Sequence, residues 1–320
     1  MEKKIPKQSE RKYDLFRDTF FIGFTEAVKS SIGIFKIMLP VSLLMTILNH
    51  IGIVGWLSVI FQPIASLFGL RGQSILALLS GYLINTYSAI ALMISLKLPM
   101  KEISLLSAMI LLSHTLPVEL TIQKKAGGKT WLLFLIRVGS SIAAGIVLNF
   151  LIPSGTEMAV SGMDLELSIG AVSFIEVIKS WVVENVAIIV KIFIINIAIN
   201  VALKFLIRFH VIDKLSNVLK PIMFIMGLAK ESAPYWFVAN FIGLIYGSGI
   251  LISANENNTL DKEEISRLNI SICSMHSIIQ ETANFMVLGV GLGVLIVPRF
   301  ITAVISVWGY RLAKLILRGN

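Results

Sequence analysis

Two stretches of this chain, 162 positions apart, carry the same residues where chance similarity rarely produces a match. Residues 102–119 read EISLLSAMILLSHTLPVE, and residues 264–281 read EISRLNISICSMHSIIQE. The two stretches are identical at seven positions, among them a histidine and a glutamate five residues apart. Apolar segments align leucine with isoleucine by chance, but they seldom align histidine and glutamate as well. The chain is therefore a tandem duplication of one unit.

Two shorter pairs of segments support the duplication, because they match in the same order along the chain. QPIASLFGL at 62–70 pairs with KPIMFIMGL at 220–228, and FTEAVKS at 24–30 pairs with FIEVIKS at 174–180. We therefore predict four consecutive regions. They are a basic tail at 1–14, a first repeat at 15–152, a linker at 153–170 and a second repeat at 171–320.

The composition of the chain places it in a lipid bilayer. Hydrophobic residues make up 56% and charged residues only 15%, with a mean hydropathy of +0.83. A soluble domain carries about 25% charged residues, so this chain has too little polar surface to cover itself in water. Its apolar runs approach the roughly 20 residues that span the hydrocarbon, and none alternates as a barrel strand does. We predict an all-α polytopic membrane protein.

The formal net charge of +9 does not indicate a nucleic-acid partner, because the basic residues cluster at the ends of apolar runs. The N-terminal tail and KKAGGK at 124–129 are typical examples. Cytoplasmic loops of membrane proteins carry such an excess of Lys and Arg. We predict a multi-pass protein of the plasma membrane with both termini in the cytoplasm.

Loop charges also predict that the two repeats are inverted. The linker at 153–170 has three acidic residues and no Lys or Arg, which places it outside, whereas 124–129 lies inside. The first repeat then crosses the membrane an odd number of times, and the second begins on the opposite side. Inverted repeats of this kind are a common plan for secondary transporters.

The same charges predict about three spanning helices in each repeat. Five crossings would put basic 97–102 outside and acidic 255–264 inside, against the bias. Three crossings place both loops correctly if 53–69 is an interfacial segment and 103–128 is a re-entrant helical segment that dips in and returns.

The repeated histidine and glutamate then lie near the middle of the bilayer. From Ile103 to Ser113 is about 16 Å of helix, half of a core that is about 30 Å thick, and Pro117 disfavours continuing the helix. By inversion, the second motif reaches the same depth from the other side. A carboxylate there costs about 2.5–3.5 kcal/mol. The four groups either hold the repeats together through hydrogen bonds or form a binding site. They are His114, Glu119, His276 and Glu281.

The chemistry of these four groups stays open at this point. Two histidines and two carboxylates are compatible with a transition metal. The same groups suit proton or ion coupling, because a buried His–Glu pair can exchange charge states near neutral pH. We favour a coupling ion, H⁺ or Na⁺, over a metal, and we expect no cofactor.

Other polar residues interrupt the apolar runs on either side of the motif and are candidates for lining a cavity, although helix packing also uses such residues. No catalytic motif is present in the sequence, so we do not expect an enzyme. These candidate lining residues are Asn85, Thr86, Ser88, Asn240, Tyr246, Ser248 and Gln280.

The P-x5-GL segments, the apolar helix that follows each and the H-x4-E motifs together resemble the nucleoside-recognition, or Gate, domain family. Two Gate units in tandem would cover most of the chain, similar to fused spore-maturation A/B-type membrane proteins. The resemblance implies membrane transport and suggests a nucleoside-like solute. Iron-transporting relatives carry a GTPase domain and cysteine, and this chain has no GTPase domain and no cysteine in either H-x4-E motif.

Three functions follow from these observations. The first is a secondary transporter of a small polar solute, ion- or proton-coupled, with its site at the repeat interface near the bilayer midplane. The second is a divalent metal-ion transporter that uses the paired His/Glu motifs. The third is a non-transporting membrane assembly or signalling component. The sequence leaves homo-oligomerisation open.

Overall fold

The computed structural model describes residues 8–153, 173–209 and 211–318, and these ranges are helical with no strand. Half of the basic tail, residues 1–7, and nearly all of the 153–170 linker lie outside the described residues. Five helical segments within these ranges are long and apolar enough to cross a membrane. They are Asp14–His50, Met100–Lys125, Thr130–Leu151, Phe174–Arg208 and Leu292–Leu317. The chain is an all-α polytopic membrane protein, as its composition predicted.

The first repeat contains seven helices joined by short connections. They are α1 (Gln8–His50), α2 (Ile53–Ser66), α3 (Ser74–Leu83), α4 (Thr86–Ser95), α5 (Met100–Ser113), α6 (Leu116–Lys125) and α7 (Thr130–Leu151).

Helices α3 and α4 form a hairpin that returns to the end of the molecule where it began. The Ser74 hydroxyl, at the start of α3, donates to Glu102 near the start of α5. The Thr115 amide, just beyond α5, donates to the Gly81 carbonyl near the end of α3, at 2.9 Å. Helix α3 therefore runs beside α5 in the same direction. Only four residues separate the end of α4 from the start of α5, so α4 must run back.

Helices α5 and α6 instead form one broken helix, along which α7 runs antiparallel. Lys101 donates to the Asn149 carbonyl at 3.2 Å, and Ser141 donates to the Met109 carbonyl at 2.8 Å. Arg137, one turn before Ser141, bonds to Glu119 in α6. Helix α7 begins seven residues before Arg137, so its first residue lies about 10 Å beyond Arg137 in the direction away from α5. The connection between α6 and α7 is short, so α6 must end near that point. Met100–Lys125 thus crosses as a single interrupted segment.

This topology corrects the prediction that 103–128 is re-entrant. The break at 114–115 offsets the helix without reversing it, since the chain resumes its helical course at Leu116. The reversal lies one segment earlier, at Ile84 and Asn85, where ψ is −80° and 171° respectively. Three segments of the first repeat and two of the second, Phe174–Arg208 and Leu292–Leu317, are long and apolar enough to cross a membrane. Because α5–α6 continues in one direction, 97–102 and 124–129 lie at its opposite ends, so they are not both on the cytoplasmic side as the loop charges predicted.

The second repeat has the same order of elements. They are α8 (Phe174–Arg208), α9 (Val211–Ile225), α10 (Ala233–Phe237, continued by a π-helical turn at Val238–Ile242), α11 (Leu244–Glu256), α12 (Lys262–Met275), α13 (Ile278–Met286) and α14 (Leu292–Arg318).

Contacts that define the first repeat recur in the second at the offsets seen in the sequence. Ser232 donates to Glu264 as Ser74 donates to Glu102. The Ser277 amide donates to the Ala239 carbonyl at 3.3 Å, as Thr115 does to Gly81. The hairpin of α10 with α11 and the broken helix of α12 with α13 are therefore the counterparts of α3–α4 and α5–α6.

The equivalent broken helices pack antiparallel, which makes the repeats inverted as the loop charges predicted. His114 meets His276 where the two helices cross. Gln123, towards the end of α6, donates to the carbonyl of Asn269 in the middle of α12 at 3.2 Å, and Asn269 donates to the Ala126 carbonyl at 3.0 Å. Gly127 lies against Ile265 in the first turn of α12. The end of one broken helix thus lies beside the start of the other.

Helices α1 and α8 show the same inversion. Phe16 packs on Phe205 with ring centroids 4.4 Å apart, and Trp181 donates to Ser42 at 3.0 Å. The start of α1 therefore lies beside the end of α8.

The broken helix α5–α6 is the most shielded of the membrane-crossing segments. In Met100–Lys125, 72% of the most apolar 18-residue stretch is buried inside the protein, against 22–28% of the corresponding stretch in the other four segments. Those four leave most of their surface for lipid, whereas α5 is enclosed by protein along nearly its whole length and α6 leaves Pro117, Val118 and Thr121 exposed. The polar groups at its break are consequently removed from lipid.

Candidate functional site

Each broken helix is interrupted by a residue in the left-handed region. Thr115 has a φ of 48° and Ser277 has a φ of 53°, and each follows a histidine with extended backbone. A β-branched residue at positive φ is a genuine outlier, and such strain persists only where the surroundings hold it. Here the Gly81 and Ala239 carbonyls, both in the hairpins, accept hydrogen bonds from the amides of Thr115 and Ser277. These hydrogen bonds to the hairpins thus stabilise the non-helical backbone at the two breaks.

The two breaks bring the histidines and one glutamate into direct contact. Nε2 of His114 lies 3.2 Å from Nε2 of His276. The carboxylate of Glu119 reaches both rings, with Oε1 3.1 Å from His114 and Oε2 3.0 Å from His276. The histidines are 3% and 1% exposed. We call these three side chains the His–Glu cluster, and it joins the two repeats.

The fourth predicted residue, Glu281, is not part of the His–Glu cluster. It lies in the first turn of α13, as Glu119 does in α6. Its Oε2 is buried with no hydrogen-bond partner among the described residues. The symmetric set of two histidines and two carboxylates is therefore not assembled, and the duplicated motifs occupy unequal environments.

Two buried arginines complete the site, and the sequence reasoning missed both. Arg137 is 0% exposed and donates to Glu119 and, at 2.6 Å, to the carbonyl of His114. Its counterpart Arg299 is also 0% exposed and donates to the carbonyl of His276. Both arginines interrupt apolar helices at the repeat offset of 162 (299 − 137). Ionisable residues at membrane depth are rare and costly, so this duplicated pair was a usable signal.

The hydrogen bonds fix the tautomer of His276. Its Nδ1 lies 3.0 Å from the Ile272 carbonyl, which can only accept, so Nδ1 carries a proton. In a neutral imidazole, Nε2 is then an acceptor. That acceptor faces Glu119 Oε2, a second acceptor, at 3.0 Å. The contact becomes attractive only when a cation, either a proton on Nε2 or a metal ion, is shared between the two atoms.

The spacing of the His–Glu cluster also fits a metal. One ligand atom from each of the three residues lies within 4.8 Å of the others. Zinc–nitrogen bonds of about 2.0–2.1 Å place tetrahedral ligand atoms roughly 3.3–3.4 Å apart, close to the contacts here. Arg137 opposes a divalent ion, because its guanidinium already bonds to Glu119. A single proton adds less charge to this buried site than a divalent ion does.

The other predicted residues lie in the hairpins rather than in the cluster. Asn85 caps α4 by accepting from the Ser88 amide at 2.9 Å, and Asn240 donates to the Trp236 carbonyl at 2.7 Å. Thr86 and Ser248 are buried in α4 and α11. The side chain of Tyr246 is outside the described residues.

Gln280 meets a residue that the sequence reasoning did not select. Its amide donates to the Tyr87 hydroxyl at 3.3 Å, so α13 of the second repeat touches the tip of the first hairpin. Gln280 and Tyr87 are both partly exposed.

Comparison with known proteins finds a family match and a similar membrane protein. Residues 31–124 match the Gate family, described as nucleoside recognition. This match lies within the first repeat. The chain is 27% identical over 286 residues to "Uncharacterized membrane protein YvoD" of Bacillus subtilis (strain 168), covering 89% of this chain and 92% of the relative. No solved structure matches the chain.

Proposed function

We propose that this membrane protein, whose residues 31–124 match the Gate family, is a secondary transporter of a small polar solute, coupled to protons. The coupling site is the His–Glu cluster at the interface between the two inverted repeats, near the bilayer midplane. The solute enters and leaves beside this cluster. The proposed role is transport, with no chemical change to the solute.

One observation carries the proposal. The 3.0 Å contact between His276 Nε2 and Glu119 Oε2 joins two acceptors unless a cation is shared between them. A proton on Nε2 turns the contact into a charge-assisted hydrogen bond, which is among the stronger kinds in proteins. Proton occupancy therefore determines whether the cluster attracts or repels across the repeat interface.

This dependence gives a coupling mechanism. His114 and Glu119 belong to the first repeat, whereas His276 belongs to the second. In transporters built from inverted repeats, one repeat or bundle rocks against the other around a fixed site. When the proton leaves, the interface loses its central attraction and the repeats separate more readily. Proton loading on one side of the membrane and release on the other then drive the conformational cycle.

We also propose that the protein lies in the plasma membrane with both termini in the cytoplasm. Lys129, after the basic end of α6, donates to the Tyr310 hydroxyl near the end of α14 at 3.2 Å. The basic 124–129 loop and the C-terminal end of α14 therefore share one face of the molecule. The positive-inside bias favours that face in the cytoplasm.

A second candidate is divalent metal transport, favoured by the spacing of the three ligand atoms. In that case a transition metal ion such as Zn²⁺ is the substrate. Removal of metal by a chelator distinguishes the candidates, because solute-driven proton movement survives chelation only if the coupling cation is a proton.

The experiment that tests the proposal uses the purified chain in liposomes that contain a pH-sensitive dye. A panel of amino acids, nucleosides and sugars is added outside, and internal pH is recorded. We expect at least one solute to carry protons inward, and Glu119→Gln to reduce that movement at least tenfold. Glu184→Gln is the matched control, since Glu184 pairs with Lys97 on the protein surface. If no solute moves protons, or if Glu119→Gln behaves as wild type, the proposal fails.

A further inference from the structure

The two repeats differ in the contact between the buried arginine and the glutamate of the H-x4-E motif. In the first repeat, Arg137 Nη1 donates to Glu119 Oε2. In the second repeat, the equivalent atoms, Arg299 Nη1 and Glu281 Oε2, are both buried without a hydrogen-bond partner. The two arginines share one contact, because Nη2 of each donates to the carbonyl of the histidine before the break. Nε of Arg299 also donates to the Ser274 carbonyl at 3.0 Å, whereas Nε of Arg137 is buried without a hydrogen-bond partner.

Leaving this pair unmade is costly, since buried charges are normally paired and hydrogen-bonded. Glu281 is nonetheless the acidic group that acts most strongly on Arg299, so the two lie within electrostatic range of each other. The first repeat demonstrates that the same elements can close the pair. Two opposite charges held near each other without direct contact are suited to a ligand that has a group for each.

The face of α13 around Glu281 is polar where its counterpart is apolar. Gln280 and Asn284 flank Glu281 at helical spacing, four residues apart. The equivalent positions of α6 hold Val118 and Ile122. The duplicated motif has thus acquired two amides on one copy only.

These amides are positioned to bind a ligand. Nδ2 of Asn284 is buried with no hydrogen-bond partner within 3.5 Å, the Tyr87 hydroxyl is its polar neighbour, and the residue is 3% exposed. Gln280 and Glu281 are partly exposed, so a solute has access to the polar face. Tyr87, which contacts Gln280, closes the face from the first repeat. A ligand here therefore contacts both repeats.

We infer that Gln280, Glu281, Asn284 and Arg299 form a subsite for a small zwitterion, such as an amino acid. The ammonium group binds Glu281, and the carboxylate accepts hydrogen bonds from Arg299 and Asn284. A ligand with one charge leaves either the arginine or the glutamate unpaired, and a neutral ligand serves both only with weaker bonds. The inference rests on the proposed function and names the class of solute. It also separates the roles of the two glutamates, with Glu119 in coupling and Glu281 in solute binding.

The test measures ligand binding by the full-length chain in lipid nanodiscs, from the shift of its thermal unfolding midpoint. The probes are L-alanine and L-glutamine, with alaninamide as the cation, propionate as the anion and uridine as the neutral solute. We expect at least one amino acid to bind at least tenfold more tightly than every other class of probe. Glu281→Gln and Asn284→Ile should each weaken that binding at least tenfold. Glu256→Gln, which removes an exposed carboxylate from α11, should not.

Asn284→Ile keeps the test decisive if Glu281→Gln does not fold, because isoleucine is the residue of the equivalent position in α6. The inference is overturned if a singly charged probe or uridine binds as well as the best amino acid, or if both variants bind it as wild type does. Proton movement that depends on Glu119 but is driven only by uridine also overturns it and leaves the proposed function intact. Amino acid binding that depends on Glu281, without any coupled proton movement, supports the inference and contradicts the proposed function.

Discussion

Nε2 of His114 lies 3.2 Å from Nε2 of His276, although 162 positions separate the two residues in the chain. Each histidine ends the first half of a broken helix, and the two broken helices cross antiparallel. The contact therefore lies on the interface that inverted repeats create. Any relative motion of the repeats changes the distance between these two rings, which gives the His–Glu cluster a direct connection to conformation.

The broken helix predicts a labelling pattern. If Met100–Lys125 crosses the membrane, its two ends face opposite sides. In a Cys273→Ala background, Lys97→Cys and Lys124→Cys should react with a membrane-impermeant thiol reagent from opposite sides of sealed vesicles. Labelling of both from the same side would restore the re-entrant interpretation of 103–128.

The ion pair between Arg137 and Glu119 predicts a strong dependence of stability on both partners. Removing one partner of a buried pair leaves an uncompensated charge, which costs about 3–5 kcal/mol. Arg137→Gln should lower the free energy of unfolding by about that amount, as measured by denaturant titration in detergent. The double variant with Glu119→Gln should lose less than the sum of the two single losses. Additive losses would mean that the residues are not coupled.

The strained Thr115 predicts an unusual tolerance of glycine. Glycine adopts positive φ without a steric penalty, and the amide that bonds to Gly81 is kept. Thr115→Gly should leave the thermal midpoint unchanged or higher. Thr115→Pro removes that amide and fixes φ near −65°, so it should lower the midpoint sharply. Equal effects of the two substitutions would show that the break is not held by this geometry.

The sequence was sufficient for the helical class, the duplication and the inversion, and it predicted that the two histidines lie at one depth. Loop charges and matched motifs report these features because they depend on residue type and order. The same reasoning failed to decide which segment reverses. Pro117 is a helix breaker by type, but Leu116 resumes the helix in nearly the same direction, whereas Asn85 reverses the chain through its ψ and its capping bond. Backbone angles of that kind are set by packing against neighbouring helices.

The asymmetry between the two copies of the motif could not be predicted from the sequence either. Identical motifs predicted identical roles for Glu119 and Glu281, and only the contacts distinguish them. Val118 and Ile122 align with Gln280 and Asn284, and these differences were visible in the alignment of the repeats. They indicate a binding site only once Nη1 of Arg299 is known to lack a hydrogen-bond partner.

The most direct test of the account is the protonation state of His276. The chain has four histidines, so ¹⁵N-histidine labelling of the metal-free protein gives few signals, and His276→Gln assigns the relevant one. The account predicts that both nitrogens of this ring carry protons at acidic pH, and that Nε2 loses its proton as pH rises or when Glu119 is changed to Gln. A ring that stays neutral at Nε2 throughout, with the protein folded and free of metal, would contradict proton coupling through this cluster.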